Sequence, residues 1–286
     1  SFKNSMTLFI VTVCKLILPK NEEIVEVDYD AYPETPGDNS HYEEGKSRYI
    51  WIPDGDGVPQ LVDLKEPVDE SLLASRNGLS TLNAFLAVQD ANVIVVDWRA
   101  LANSAYNTAA AGVPGVGQFL GNFLVWLINT AGGNWNNVHL VGFSLGAHVV
   151  GNAGRQTGGR PARVTGLDPA GPTWGGNGNA LNRNAGQYVE AIHTDGRALG
   201  IFNPIADADF YPNGGQNPQP GCWISTCSHS RAYELFASTV RHNHLVGRRC
   251  VNTWEAELAT CNGAALNMGN GVISKRGYVS NTTSSP

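Results

Sequence analysis

The sequence predicts an α/β domain, a mostly parallel sheet with helices on both faces. Three observations predict it. Residues 92–97 (Asn-Val-Ile-Val-Val-Asp) form a continuous apolar run, the pattern of a parallel strand buried on both sides. Val116, Phe119, Leu120, Phe123, Leu124 and Leu127 recur at helical spacing, predicting a helix over 116–129. Strand-like and helix-like stretches then alternate, and such alternation builds parallel strands joined by crossover helices.

In chain order, residues 48–53 (Arg-Tyr-Ile-Trp-Ile-Pro) read as a strand, with a turn at 54–57. After the run at 92–97 and the helix at 116–129 come a strand at 138–141 and a helix from 145 to about 155. Strands at 164–167 and 188–192 and a last helix at 228–240 follow. No internal repeat and no linker divides the chain, so residues 48–286 are expected to form a single domain. Residues 21–47 are acidic, carry Pro33, Pro36 and Gly37, and read as an exposed arm.

The composition excludes several functions. Of 286 residues, 42% are hydrophobic and 15% charged, so a sizeable core is available and most of the chain is not disordered. Nineteen Lys and Arg against 25 Asp and Glu leave a formal charge of −6, and no nucleic-acid partner is expected. Residues 8–18 are apolar but interrupted by Lys15 and closed by Pro19, too short for a bilayer span of about 20 residues. With Lys3 ahead of them, residues 1–20 read as a signal-like segment, the other reading being an ordinary apolar strand. If Cys14 leaves with a signal, Cys222, Cys227, Cys250 and Cys261 remain, an even set that suits an oxidising compartment. Zinc ligation fits these spacings less well. Asn281 heads a glycosylation sequon compatible with secretion.

The chemistry centres on Gly142-Phe-Ser144-Leu-Gly146, a G-x-S-x-G pentapeptide between a predicted strand and a predicted helix. A strand turning sharply into a helix strains the serine backbone, and glycines on either side let the two segments pass. The turn lifts the Ser144 hydroxyl to the carboxyl edge of the sheet, where the Leu145 N–H can donate to a developing oxyanion. A hydroxyl nucleophile needs a base, and the base needs an orienting carboxylate. α/β-hydrolases supply these in the order Ser, acid, His. Asp168 ends the strand at 164–167 and is the favoured acid; Asp195 is its rival, and Asp97 precedes the serine. Among seven histidines, His229 at a loop-to-helix junction just after Cys227 is assigned as the base. His148 is expected to pack beneath the serine turn, His139 and His193 to sit in or beside the core, and His242 and His244 to be solvated. His41 lies in the acidic arm, ahead of the serine.

These residues resemble the pancreatic lipase family, most closely its insect neutral lipase and phospholipase A1 branch. The matching stretches include Val95-Val-Asp-Trp-Arg99, the segment from Gly142 to Gly151, Gly166-Leu-Asp-Pro-Ala-Gly-Pro172, Ile192-His-Thr-Asp195, Ala208-Asp-Phe-Tyr-Pro212 and Cys227-Ser-His-Ser-Arg231, in family order. The resemblance implies an α/β-hydrolase-like fold and a triad of Ser144, Asp168 and His229. It also implies disulfides Cys222–Cys227, closing the lid loop, and Cys250–Cys261. Only four residues separate Cys222 from Cys227, so no amphipathic lid is expected, as in phospholipase A1 and galactolipase members. Residues 175–187 contain no carboxylate, so the family's calcium site is expected to be lost, and neither a metal nor another cofactor is expected.

One departure is large. Family members carry, before the strand matching 92–97, another strand ending in His-Gly, whose following N–H is the second oxyanion donor. This sequence has no His-Gly dipeptide, as if a central strand were missing. Losing one such donor costs roughly 10²–10³ in rate. The expectation is therefore a secreted, monomeric serine carboxylester hydrolase acting on acylglycerol, phospholipid or galactolipid at a lipid–water interface, with turnover impaired or absent. The competing expectation is a non-catalytic lipid-binding or storage protein of the same fold.

Overall fold

The computed structural model describes residues 7–12, 49–53, 59–63, 76–88, 91–270 and 275–281. The acidic arm expected at 21–47 and the turn at 54–57 lie outside them, as does His41. Eleven strands are described: β1 Thr7–Thr12, β2 Tyr49–Pro53, β3 Pro59–Asp63, β4 Ala91–Val96, β5 Val138–Phe143, β6 Arg163–Leu167, β7 Val189–Ile192, β8 Ala208–Pro212, β9 Val246–Arg249, β10 Ala265–Asn267 and β11 Gly277–Asn281. The helices are α1 Arg76–Val88, α2 Arg99–Ala102, α3 Tyr106–Ala131, α4 Leu145–Gln156, α5 Ser225–His242 and α6 Thr253–Glu257.

Nine strands form one sheet in the order β10-β9-β11-β8-β7-β6-β5-β1-β4, and β2 and β3 pair separately. The run from β4 to β11 is parallel, while β9 and β10 add antiparallel pairings at the far end. The sheet is buried on both faces. On one face Val138 and Leu140 of β5 join Leu120 and Leu124 of α3 and Val149, Val150 and Ala153 of α4. On the other, Val141 and Phe143 of β5 meet Phe85 of α1 and Ala232, Tyr233 and Phe236 of α5. Side chains alternate along a strand, so β5 must be apolar on both sides, and its unbroken hydrophobic run follows.

Three differences from the sequence expectations matter. The helix expected from 116 begins at Tyr106, because Ala109, Ala110 and Val113 continue the buried face through Gly112, Pro114 and Gly115. Pro114 removes one helical donor, yet core contacts on both sides of it outweigh the lost bond. The last helix begins at Ser225 rather than 228. Most significantly, the central position expected to stand empty is held by β1, residues otherwise read as part of a signal-like segment. Thr7–Thr12 pairs in parallel with β4 and β5, placing Thr12 opposite Val96 and Gly142. A strand there satisfies backbone groups on β4 and β5 that an empty slot would leave unpaired.

α3 is long and apolar enough to cross a membrane by length and composition. It nevertheless buries Leu120, Leu124, Leu127 and Ile128 in the protein core, which accounts for its apolar character. On the interior strands β6 and β7, a buried charge cluster ties in the residues flanking β10 and β11. The Glu190 carboxylate of β7 accepts from the Tyr188 hydroxyl at 2.5 Å and the Gly269 N–H at 2.7 Å, and pairs with Arg163 at 3.3 Å and Lys275 at 2.8 Å.

Candidate active site

Ser144 sits where β5 ends and α4 begins, with φ 55° and ψ −124°. A non-glycine residue held at positive φ is strained, and the surrounding backbone holds it there. Its N–H donates to the Leu167 carbonyl at 3.0 Å, and its own carbonyl accepts from Ala147 at 3.1 Å and Ala170 at 3.2 Å. The turn is thereby locked to the end of β6, the strand that delivers Asp168. Gly142 is required by space: a Cβ there would stand 2.2 Å from the Gly146 carbonyl oxygen. Leu145 is the first residue of α4, so its N–H has no acceptor within the helix and lies at the positive end of the helix dipole.

Asp168 follows β6 and is fully buried. Its Oδ1 accepts from the N–H groups of Thr194 at 2.8 Å and Asp195 at 3.1 Å. Its Oδ2 accepts from His229 Nδ1 at 2.6 Å, a short charge-assisted hydrogen bond. Gly200 packs against this carboxylate so closely that a Cβ would meet Oδ1 at 2.4 Å. His229 projects from the second turn of α5 and is 4% exposed. Its ring lies 4.5 Å from that of Phe143, the residue immediately before Ser144. Tyr233, one turn further along α5, packs edge-on against the same Phe143 at 5.4 Å. Residues far apart in sequence, Asp168 and His229, are thus in direct contact beside the serine turn.

The rival residues fall elsewhere. Asp97 is exposed and forms a salt bridge with Arg99 at 2.9 Å. His139 is buried against Phe85 and Phe236 and bonds Thr165 Oγ1 at 2.8 Å. Burial, reinforced by the nearby Arg163 charge, pushes its pKa well down. His193 bonds the Ile201 carbonyl at 2.7 Å and Asp209 at 3.1 Å. His242 and His244 are exposed at the end of α5. Asp195 does not contact the imidazole; it supports Asp168 through its N–H.

His148 packs beneath the turn, stacked on Trp174 at 4.0 Å. Its Nδ1 accepts from the Leu181 N–H at 3.0 Å, so Nε2 must carry the proton donated to the Ala170 carbonyl at 2.9 Å. Protonating Nδ1 would destroy the first bond, and burial further lowers the pKa to about 4. The native state therefore binds fewer protons than the unfolded chain between these values. Stability present above the unfolded pKa, about 6.5, is expected to fall as pH drops toward 4, by about 3 kcal/mol from this residue. Urea midpoints between pH 7 and 4 would check this; a flat profile would refute a neutral buried His148.

Both expected disulfides are formed: Cys222–Cys227 closes a short loop, and Cys250–Cys261 ties the segment after α6 to the end of β9. The first loop presents Trp223 and Ile224 to solvent at 92% and 64% exposure. The calcium region is occupied by the protein itself. Arg155 donates to the carbonyls of Ala180 at 2.9 Å and Asn179 at 3.0 Å. With only amide and backbone oxygens in that stretch and a guanidinium already on them, the residues do not fit a hard divalent cation. A cavity of about 320 Å³ lined by Trp174, Leu181, Ile201 and Ile205 flanks this region and does not border Ser144, Asp168 or His229. Asn281 closes β11, opposite Pro212.

The sequence reading missed Ser225, whose hydroxyl donates to Asp195 Oδ2, and the support that Thr194 and Asp195 lend Asp168. For Thr194 and Asp195 the signal was their place in the Ile192-His-Thr-Asp195 stretch; Ser225 carried none.

Comparison with known proteins finds similar chains. A family model described as Lipase matches residues 75–272. Hepatic triacylglycerol lipase of Rattus norvegicus is 36% identical over 219 residues, covering 66% of this chain and 43% of the relative. Lipase member H-A of Xenopus laevis is 37% identical over 189 residues, covering 62% and 41%. Phospholipase A1 member A of Bos taurus is 39% identical over 182 residues, covering 60% and 40%. The chain spans less than half the length of each of these curated relatives.

Proposed function

Since the chain belongs to the pancreatic lipase family, we propose that it is a serine carboxylester hydrolase of lipase or phospholipase A1 type, cleaving acyl-glycerolipid esters. The observation that carries the reading is the His229–Asp168 contact at 2.6 Å, packed on the residue preceding a strained Ser144. Because Nδ1–H of His229 donates to Asp168, Nε2 is left as the acceptor. Nε2 removes the Ser144 proton as Oγ attacks the ester carbonyl, and the Leu145 N–H stabilises the oxyanion. Collapse of the tetrahedral intermediate expels the alcohol, which takes the proton back from His229. Water, giving a proton to His229, then attacks the acyl-enzyme, and the fatty acid leaves as His229 returns the proton to Ser144 Oγ. With no His-Gly dipeptide in the sequence to supply a second donor, turnover is expected to be about 10²–10³ below that of a two-donor site.

Two disulfides support secretion, since such bonds persist in oxidising compartments. The lipid–water interface is the partner that fits exposed Trp223 and Ile224, and Asn281 is the site proposed to carry an N-linked glycan. The protein acts as a monomer, without nucleic acid and without a metal or other cofactor. Trp223→Ser is expected to slow hydrolysis of phospholipid vesicles about 10-fold, the loss of partly burying one indole. Hydrolysis of a soluble butyrate ester should be unchanged, and equal losses on both substrates would contradict interfacial docking.

Absence of the His-Gly segment favours a second reading, a non-catalytic lipid-binding or storage protein. Fatty-acid release from phosphatidylcholine vesicles and a fluorophosphonate adduct on Ser144 would establish the enzyme. A protein that melts cooperatively yet gives neither is the lipid binder.

A further inference from the structure

We infer that Asp195 is a positioning residue for the base, coupling the first turn of α5 to the carboxylate that orients His229. The inference rests on the esterase reading and deepens it. Asp195 is 1% exposed. Its Oδ2 accepts from the Leu199 N–H at 3.0 Å and from the Ser225 hydroxyl. Its own N–H donates to Asp168 Oδ1 at 3.1 Å, and Asp168 Oδ2 meets His229. Ser225 and His229 are four residues apart in α5, one helical turn. The contacts therefore close a ring: Ser225 to Asp195, Asp195 to Asp168, Asp168 to His229, and back along the helix to Ser225.

The ring answers a local weakness. The first turn of any helix has N–H groups without internal acceptors and frays readily. Here the N-cap position is Ile224, whose side chain makes no capping bond, and the preceding residue is the exposed Trp223. The start of α5 is held by the disulfide, by Ser228, whose hydroxyl accepts from the Gln219 N–H at 3.0 Å and donates to Asn217 Oδ1 at 2.8 Å, and, at its first residue, by the Ser225–Asp195 bond. Asp195 does so at a cost: its Oδ1 finds no hydrogen-bond partner among the described residues. Burial, helped by the neighbouring Asp168 charge, raises its pKa against the pull of Ser225, Leu199 and His229. A carboxylate so placed serves to fix the helix start that carries the base.

The test uses the whole chain with p-nitrophenyl butyrate, counting active sites with a fluorophosphonate. Asp195→Ala should lower kcat about 10²-fold at unchanged KM, the effect of a base displaced by an ångström or so. Asp195→Asn keeps an oxygen for Ser225 and should restore kcat to within about threefold of wild type. Ser225→Ala, which leaves the carboxylate in place, should lose about 10-fold and stands in if Asp195→Ala fails to fold. The far-downfield proton resonance of His229 Nδ1 should be lost in Asp195→Ala and kept in Asp195→Asn. Wild-type kcat in Asp195→Ala, a loss carried by KM, or an Asn variant as poor as the Ala variant would each overturn the proposal. If wild type neither labels nor turns over, the esterase reading has failed, and the downfield resonance alone decides the role of Asp195.

Discussion

Ser144→Ala is expected to abolish fluorophosphonate labelling and to lower ester turnover about 10⁶-fold, leaving only the residual rate that substrate binding and the oxyanion donor supply. The size follows from the division of labour in the site. In the proposed triad, His229 and Asp168 act only through the Ser144 hydroxyl, so losing it should remove the contribution of all three together. The substitution is mild for the fold. Ser144 makes its structural bonds through its backbone, to Leu167, Ala147 and Ala170, and alanine keeps each of them. The melting temperature should therefore stay near that of wild type. Residual labelling in the variant, or turnover within 10²-fold of wild type, would mean that another group is the nucleophile.

Asp168→Asn should cost about 10⁴-fold in turnover, with labelling slowed in parallel. The surrounding donors dictate the outcome. Thr194 and Asp195 both present N–H groups to Oδ1, so the amide of an asparagine must place its oxygen there. Its NH₂ then faces His229 Nδ1, which becomes the acceptor, and the ring proton moves to Nε2. An imidazole protonated at Nε2 cannot take the proton of Ser144. Because the site is buried and asparagine has nearly the same shape, folding should be preserved while the tautomer is wrong. A variant keeping more than a tenth of wild-type turnover would show that Asp168 does not control the tautomer.

Much of this site was legible in the sequence because its signals are local. The strand-to-helix turn at 142–146 declares itself through two glycines within five residues, and Gly142 is required because α4 passes within contact of it. The buried run of β5 and the order serine, acid, histidine pointed to Asp168 and His229 as partners, and the structure brings those two side chains together. The roles of His148 and His139 followed from the elements they sit in.

Features that depend on distant pairings were not legible. Asp195 competed with Asp168 as the acid, since each follows a parallel strand; only the approach of α5 decides which carboxylate meets the imidazole. The tie from Asp195 to Ser225 joins residues 30 apart and left no periodic trace. The start of α3 was hidden because Gly112, Pro114 and Gly115 lower helix propensity locally, while burial of Ala109, Ala110 and Val113 overrides it. The pairing of β1 with β4 and β5 was equally invisible, because a short apolar run satisfies a signal segment and an interior strand alike.

By itself, the sequence determined an α/β sheet, a serine turn and a short list of partners, because hydrophobic period and glycine placement act between neighbours in the chain. Tertiary structure alone decided which carboxylate orients His229, what holds the first turn of α5, and which segment fills the sheet beside β5. Those outcomes depend on backbone and side-chain groups being satisfied across long loops, where no local pattern records the partner.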